Sequence, residues 1–180
     1  MKKLILIALF VSIIVGVCAQ NSRPIMLGFS PAITVEPSYP QGAFDLNILP
    51  LAVQFPGIID NLDIRFLSLV NYGIRSYGSA LINIGGEICL PYHFDFSRND
   101  DFISKGFFIG PGAAFSRNIH YNHRSLSVFI EPGYHFLFND NFSLIIDMQF
   151  GRTYLKPDSG ISVTQNHWGV KVVLGWWINN

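Results

Sequence analysis

Arg65, Glu87, His93, Glu131, His135, Asp147 and Lys171 are the side chains of this sequence best equipped for chemistry. Three carboxylates, two fixed cations and two imidazoles have several uses if they share a surface. They can neutralise one another as a buried ion-pair network, pass protons or ions along a line, or supply two carboxylates for hydrolysis. Hydrolysis needs a set separation between the carboxylates, and nothing in the spacing imposes one. A buried charge must be paired or neutralised, and both signs are present. The expectation is a satisfied polar core, with a gated proton or ion path as the functional alternative.

Whether the seven share a surface depends on the elements that carry them. From Phe142 to Phe150 the chain puts Phe142, Leu144, Ile146, Met148 and Phe150 on one parity and Ser143, Asp147 and Gln149 on the other. Side chains of a strand alternate between its faces, so one face is apolar and the other polar. The same split sets Leu126, Val128, Ile130, Tyr134, Phe136 and Phe138 against Ser127, Glu131, Gly133 and His135. It sets Ala80, Ile82, Ile84, Ile88, Leu90, Tyr92 and Phe94 against Asn83, Gly85, Glu87, Cys89 and His93. Near the end, Val172, Leu174, Trp176 and Ile178 oppose Lys171, Val173, Gly175 and Trp177, while Asp45, Asn47, Asp63 and Arg65 also keep one parity.

Alternation and turn signals together predict eight strands, near Ile25–Glu36, Phe44–Val53, Leu62–Tyr72, Ala80–Phe94, Gly106–Ser116, Ser125–Phe138, Phe142–Tyr154 and His167–Ile178. Breakers fill the connections: Pro37 to Gly42, Pro56-Gly57, Tyr77 to Ser79, Arg98 to Asp101, Asn118 to His123, Asn139 to Asn141, and Pro157 to Gly160. Pro50, Pro91, Pro111 and Pro132 fall inside predicted strands, where proline cannot donate to a ladder and is usually confined to edges, strand starts or bulges.

Lys2 and Lys3, the apolar run Leu4 to Val17, and Val17-Cys18-Ala19 predict a signal peptide over residues 1–19, cut before Gln20. Removing 19 of 180 residues leaves 161, one domain over residues 20–180. Without Lys2 and Lys3 it has 10 basic and 12 acidic residues, a formal charge of −2, so there is no basic footprint for nucleic acid. Charged residues make up 13% of the chain and aromatic ones 14%. A water-facing surface is usually about a quarter to a third charged, so something other than water covers much of this protein. Cys18 leaves with the leader and Cys89 stands alone, which excludes an intramolecular disulfide.

The interior of an eight-stranded barrel is only just wide enough for side chains to fill. The larger, apolar set therefore faces outward to lipid. Small residues on the other parity (Gly28, Ser30, Gly110, Gly112, Ala114, Ser116, Gly133, Gly151) leave volume for the few inward charges. The fold class is all-β, an eight-stranded antiparallel up-and-down transmembrane barrel. A secreted, lipocalin-like ligand-binding barrel would point its apolar face inward and is the soluble alternative.

On these faces, from Ile25 to Ile178, the chain resembles the small eight-stranded outer-membrane barrels of the OmpA-transmembrane and OmpX type and the uncharacterised outer-membrane β-barrel proteins of Gram-negative bacteria. Such families carry a C-terminal insertion signal, which His167 to Leu174 fits, although this chain runs on to Asn180 where members commonly end on an aromatic. The resemblance implies a bacterial outer-membrane location, lipid and lipopolysaccharide as surroundings, and recognition of His167–Leu174 by the barrel-assembly machinery. It also implies that the termini and the Asn139-Asp140 turn face the periplasm and that segments near 37–43, 73–79, 117–124 and 155–166 face outward.

His120, His123 and Ser125 fall in a predicted outer loop and are similar to the His-any-Ser element of outer-membrane lipid A deacylases. Those enzymes take their carboxylate from further along the barrel than Glu131 lies, and a nucleophile needs an oriented base. Two histidines without a supporting carboxylate or cysteine rarely hold a metal. Solvated loop residues are the expected reading. Tyr72, Tyr92, Phe94, Tyr121, Tyr154, Trp168, Trp176 and Trp177 are candidates for interfacial girdles. The expected function is structural or surface-interacting, by a monomer without catalysis or cofactor; a lipid-modifying enzyme is the other membrane reading.

Overall fold

The computed structural model describes residues 24–31, 33–34, 44–57, 59–76, 78–94, 103–119, 122–139, 141–158 and 160–178. The predicted signal peptide, the Pro37–Gly42 and Arg98–Asp101 connections, His120 and Tyr121 lie outside them. Eight barrel strands follow, three of them in two pieces. They are β1 (Ile25–Phe29 with Ile33–Thr34), β2 (Phe44–Asn47 with Leu51–Pro56), β3 (Asp63–Arg75) and β4 (Gly78–Cys89 with Tyr92–His93). The second half is unbroken: β5 (Gly106–Asn118), β6 (His123–Phe138), β7 (Phe142–Pro157) and β8 (Val163–Ile178). Each strand pairs antiparallel with its neighbours in sequence, and β1 closes the ring on β8 with Ile25 opposite Ile178. The result is a closed eight-stranded antiparallel barrel.

Several strands run further than the alternation predicts. β6 begins at His123, two residues before its predicted start at Ser125, so His123 and Ser125 both stand in a strand, opposite Asn118 and Ser116, rather than in a loop. Val163 to Asn166 pair with Leu155 to Arg152, so the 155–166 loop shrinks to a short connection. Backbone pairing extends a hairpin wherever the turn allows, even where side-chain polarity stops alternating.

The prolines interrupt the ladder without ending it. At Ile48–Pro50, β2 bulges, and its inward side chains change from Asp45 and Asn47 to Ala52 and Gln54, an odd-to-even switch. Asn47 mends the gap: its Oδ1 accepts the backbone N–H of Leu49 (3.2 Å) and Val70 (3.1 Å), and its Nδ2 donates to the Ser68 carbonyl (2.9 Å). At Leu90-Pro91 the chain comes so close to β5 that a Cβ on Gly110 would lie 2.3 Å from the Leu90 carbonyl oxygen. Pro132 leaves the β6–β7 pairing open between Gly133 and Ile130, with the same register on both sides.

A bulge in the β3–β4 pairing, where Asn71 faces Asn83 but Tyr72 faces Leu81, leaves Ile82 as the extra residue. Ile82 therefore turns inward and is buried, not outward as its parity predicts. Trp177 is likewise inward, 2% exposed, and no part of a girdle; Trp168 at 72% and Trp176 at 57% stand outside. Large apolar side chains cover the exterior, from Leu27 and Phe29 on β1 through Ile146, Met148 and Phe150 on β7 to Leu174 and Ile178 on β8. Inside, toward the end where β1 begins and β8 ends, Met26, Ile103, Phe108, Ile145, Val173 and Trp177 form an apolar cluster with Ala52 and Leu67. Ile103, ahead of β5, enters the barrel mouth, and Ser104 Oγ donates to Asp63 Oδ1 (3.2 Å).

Candidate functional site, a charged network in the barrel interior

Five of the seven candidates meet at mid-barrel, and five strands deliver them. Lys171 on β8 reaches Glu87 Oε1 on β4 and Glu131 Oε2 on β6, each at 2.5 Å, with Asp147 Oδ1 of β7 at 3.7 Å. Arg65 on β3 donates from one terminal nitrogen to Asp147 Oδ2 (3.0 Å), and the other lies 3.4 Å from Glu131 Oε1. Arg65 and Glu131 are 0% exposed. The guanidinium also stands over the Phe108 ring, 5.1 Å from its centroid, which adds a cation–π attraction.

Alternation brings these groups inside, and barrel closure brings them together. Glycines make the remaining room: a Cβ on Gly133 would lie 2.5 Å from the Phe108 ring, and one on Gly112 would lie 2.2 Å from Phe129. The parity argument also licenses Gln149, which its residue type kept off the candidate set. Its Nε2 donates to Glu131 Oε2 (2.7 Å) and Glu87 Oε1 (3.0 Å), and its Oε1 lies 3.1 Å from His167 Nε2. From His167 the polar line continues to Thr153 (3.2 Å) and Ser127 (2.8 Å beyond it) toward the far end.

His93 and His135 form a separate layer on the terminal side, their rings 5.7 Å apart. His93 Nδ1 lies 3.8 Å from Asp63 Oδ2, the oxygen to which Gln54 Nε2 donates at 2.7 Å. Ser143 Oγ lies 2.6 Å from His135 Nε2 and accepts the Trp177 indole N–H at 2.7 Å. Asp63 shares the parity of Arg65 and could have been assigned inward on that signal. A third pairing, Arg75 with Asp45 (2.6 Å), crosses β3 to β2 nearer the far end.

Chemically the central cluster is a mutual clamp. Lys171 and Gln149 occupy the same two carboxylates, and Arg65 takes the third, so each anion is held by donors from other strands. Ser125 stands elsewhere: its hydroxyl lies 2.6 Å from that of Ser116, and Glu131 is three inward positions further along β6, about 20 Å by strand rise. Among the described residues no group of three or more His, Cys, Asp or Glu side chains is arranged to hold a metal ion.

No protein-family model matches the chain, and a search of curated proteins finds no relative. Among solved structures, the chain is similar to the outer membrane protein OprG from Pseudomonas aeruginosa, at 11% identity and a TM-score of 0.49, over 87% of this chain and 96% of that one.

Proposed function

We propose that the chain is a monomeric outer-membrane barrel of Gram-negative bacteria whose interior is sealed by its own ion pairs. On this reading it serves the envelope structurally or through its surface, without catalysis. One observation carries the proposal: apolar side chains such as Ile146 (42% exposed) and Phe150 (50%) stand outside, while charges such as Arg65 (0%) are buried inside. In water that arrangement is inverted. In a bilayer it is the stable one, because a closed barrel satisfies every backbone group and keeps charge off the lipid. Strands of 13 to 16 residues, β5 to β8, exceed the roughly 9–11 needed to cross the hydrocarbon.

The surroundings that follow are outer-membrane lipid and lipopolysaccharide, and β8 from His167 to Leu174 would be read by the assembly machinery. The packed lumen is expected to conduct poorly. Fractionation of cells producing the chain, with gel mobility before and after boiling, tests the location. Recovery in the soluble fraction, or a mobility unchanged by heat, would refute the membrane reading. Stable porin-like currents across a planar bilayer would refute the sealed lumen.

A further inference from the structure

Arg117, Arg124 and Lys156 form a row across three neighbouring strands at the far end of the barrel. Arg117 on β5 is directly opposite Arg124 on β6, and Arg124 is directly opposite Lys156 on β7. All three are exposed and share the outward parity of Phe115, Leu126 and Tyr154, which form the next row in and belong to the apolar belt. The cations thus sit on the outer wall where the belt ends.

Like charges directly opposite one another across a sheet repel. Among the described residues none of the three joins an ion pair; Arg117 donates to Asn122 Oδ1 (3.0 Å), a neutral acceptor. Asp158, exposed close by in sequence, forms no ion pair with them. Arg152, four residues further in on the same face of β7, is a fourth cation with a stem long enough to lie along the belt. By contrast, Arg75, near the same end of β3, is already paired with Asp45.

We propose that this row binds the phosphate groups of a phosphorylated glycolipid headgroup in the outer leaflet. The inference rests on the membrane reading above and adds a ligand and a site to it. Neighbouring strands lie about 4.8 Å apart, so a phosphate over Arg124 is within reach of both flanking cations. Arginine presents a planar fork that meets phosphate oxygens two at a time, and lysine adds a mobile point charge. The acyl chains below the headgroup would lie against Phe115, Leu126 and Tyr154. Phosphate from lipid is favoured over free phosphate because the row adjoins an apolar surface rather than lining a pocket.

The test uses the full chain folded in detergent micelles, with native mass spectrometry to measure binding of a bisphosphorylated diglucosamine lipid and of the same lipid without phosphates. A cation near a charged lipid surface contributes about 1 kcal/mol, about fivefold in affinity. Arg124→Gln with Lys156→Gln is therefore expected to weaken binding of the phosphorylated lipid about 25-fold, and Lys156→Arg to preserve it. Lys105→Gln, which matches the single Lys156→Gln change in charge but lies ahead of β5 at the opposite end, should have no effect. Equal binding by the double variant and the wild type, or equal binding of both lipids, would overturn the site. Displacement of the lipid by inorganic phosphate at comparable concentration would overturn the lipid as its source. Heat-dependent mobility verifies the folding of each variant, and the single variants serve if the double one does not fold. Failure of the wild type to enter vesicles would instead count against the membrane reading, whatever the binding result.

Discussion

Lys171 touches Glu87 and Glu131 and lies near Asp147, so its removal leaves Arg65 as the remaining cation of the cluster and only the neutral Gln149 amide on Glu87. Breaking a buried ion pair on one side costs about 3–5 kcal/mol, because the partner stays buried and uncompensated. Lys171→Met is expected to destabilise by that amount, and Lys171→Met with Glu131→Gln by less than the sum of the two single changes. Urea unfolding in lipid vesicles measures the cycle; additive losses would show that the two side chains do not stabilise each other. His123 and Ser125 lie outside this network. His123→Ala with Ser125→Ala removes a hydroxyl contact to Ser116 and is expected to cost about 1 kcal/mol, with no change in the lipids of cells producing it. A lipid modification that disappears with this variant would overturn the non-catalytic reading.

Single residues also decide how each strand is held. In β2 the break at Pro50 would leave backbone groups of Leu49, Ser68 and Val70 without partners, and the Asn47 amide satisfies all three. Asn47→Leu keeps the volume and removes the bonds. The expected loss is about 1–3 kcal/mol for each buried group left unsatisfied, read as a lower urea midpoint for the folded barrel. Retention of the wild-type midpoint would mean that the bulge is held by the neighbouring ladder alone. The same logic explains why Pro111 and Pro132 persist in long strands: each removes one donor from a ladder that is continuous on either side.

For the molecule as a whole, the proposed membrane location makes the outer wall the surface that lipid must accept. Ile146 is outward and mid-strand in β7, whereas Ile59 is exposed in the turn before β3, beyond the strands. An arginine on the lipid face near the midplane costs about 2–4 kcal/mol, falling to about 0–1 kcal/mol near the interfaces. Ile146→Arg should therefore lower the folded yield in vesicles, and Ile59→Arg should leave it near the wild type. Equal yields for the two variants would remove the assignment of lipid to the outer wall.

Much of this barrel was legible in its residues because a strand has a period of two and few turn residues. Alternation located all eight strands, and on β6, β7 and β8 it separated lumen from exterior residue by residue, including Glu131, Asp147 and Lys171. It failed where one residue is inserted, since each bulge reverses the parity that follows: Ile82 turned inward, and the inward set of β2 moved from Asp45 to Gln54. Periodicity along one strand is also silent about the strand opposite. Lys171 and Glu87 are 84 residues apart, on strands that are not neighbours, and only closure of the ring across a narrow interior puts them 2.5 Å apart. The outward cations are alike in this. Arg117, Arg124 and Lys156 are unremarkable loop-end charges in the sequence, and only the register of β5, β6 and β7 sets them side by side. Side-chain direction is a local property of the backbone, so the sequence determined it; proximity across strands depends on register, bulges and closure, which the tertiary structure decided.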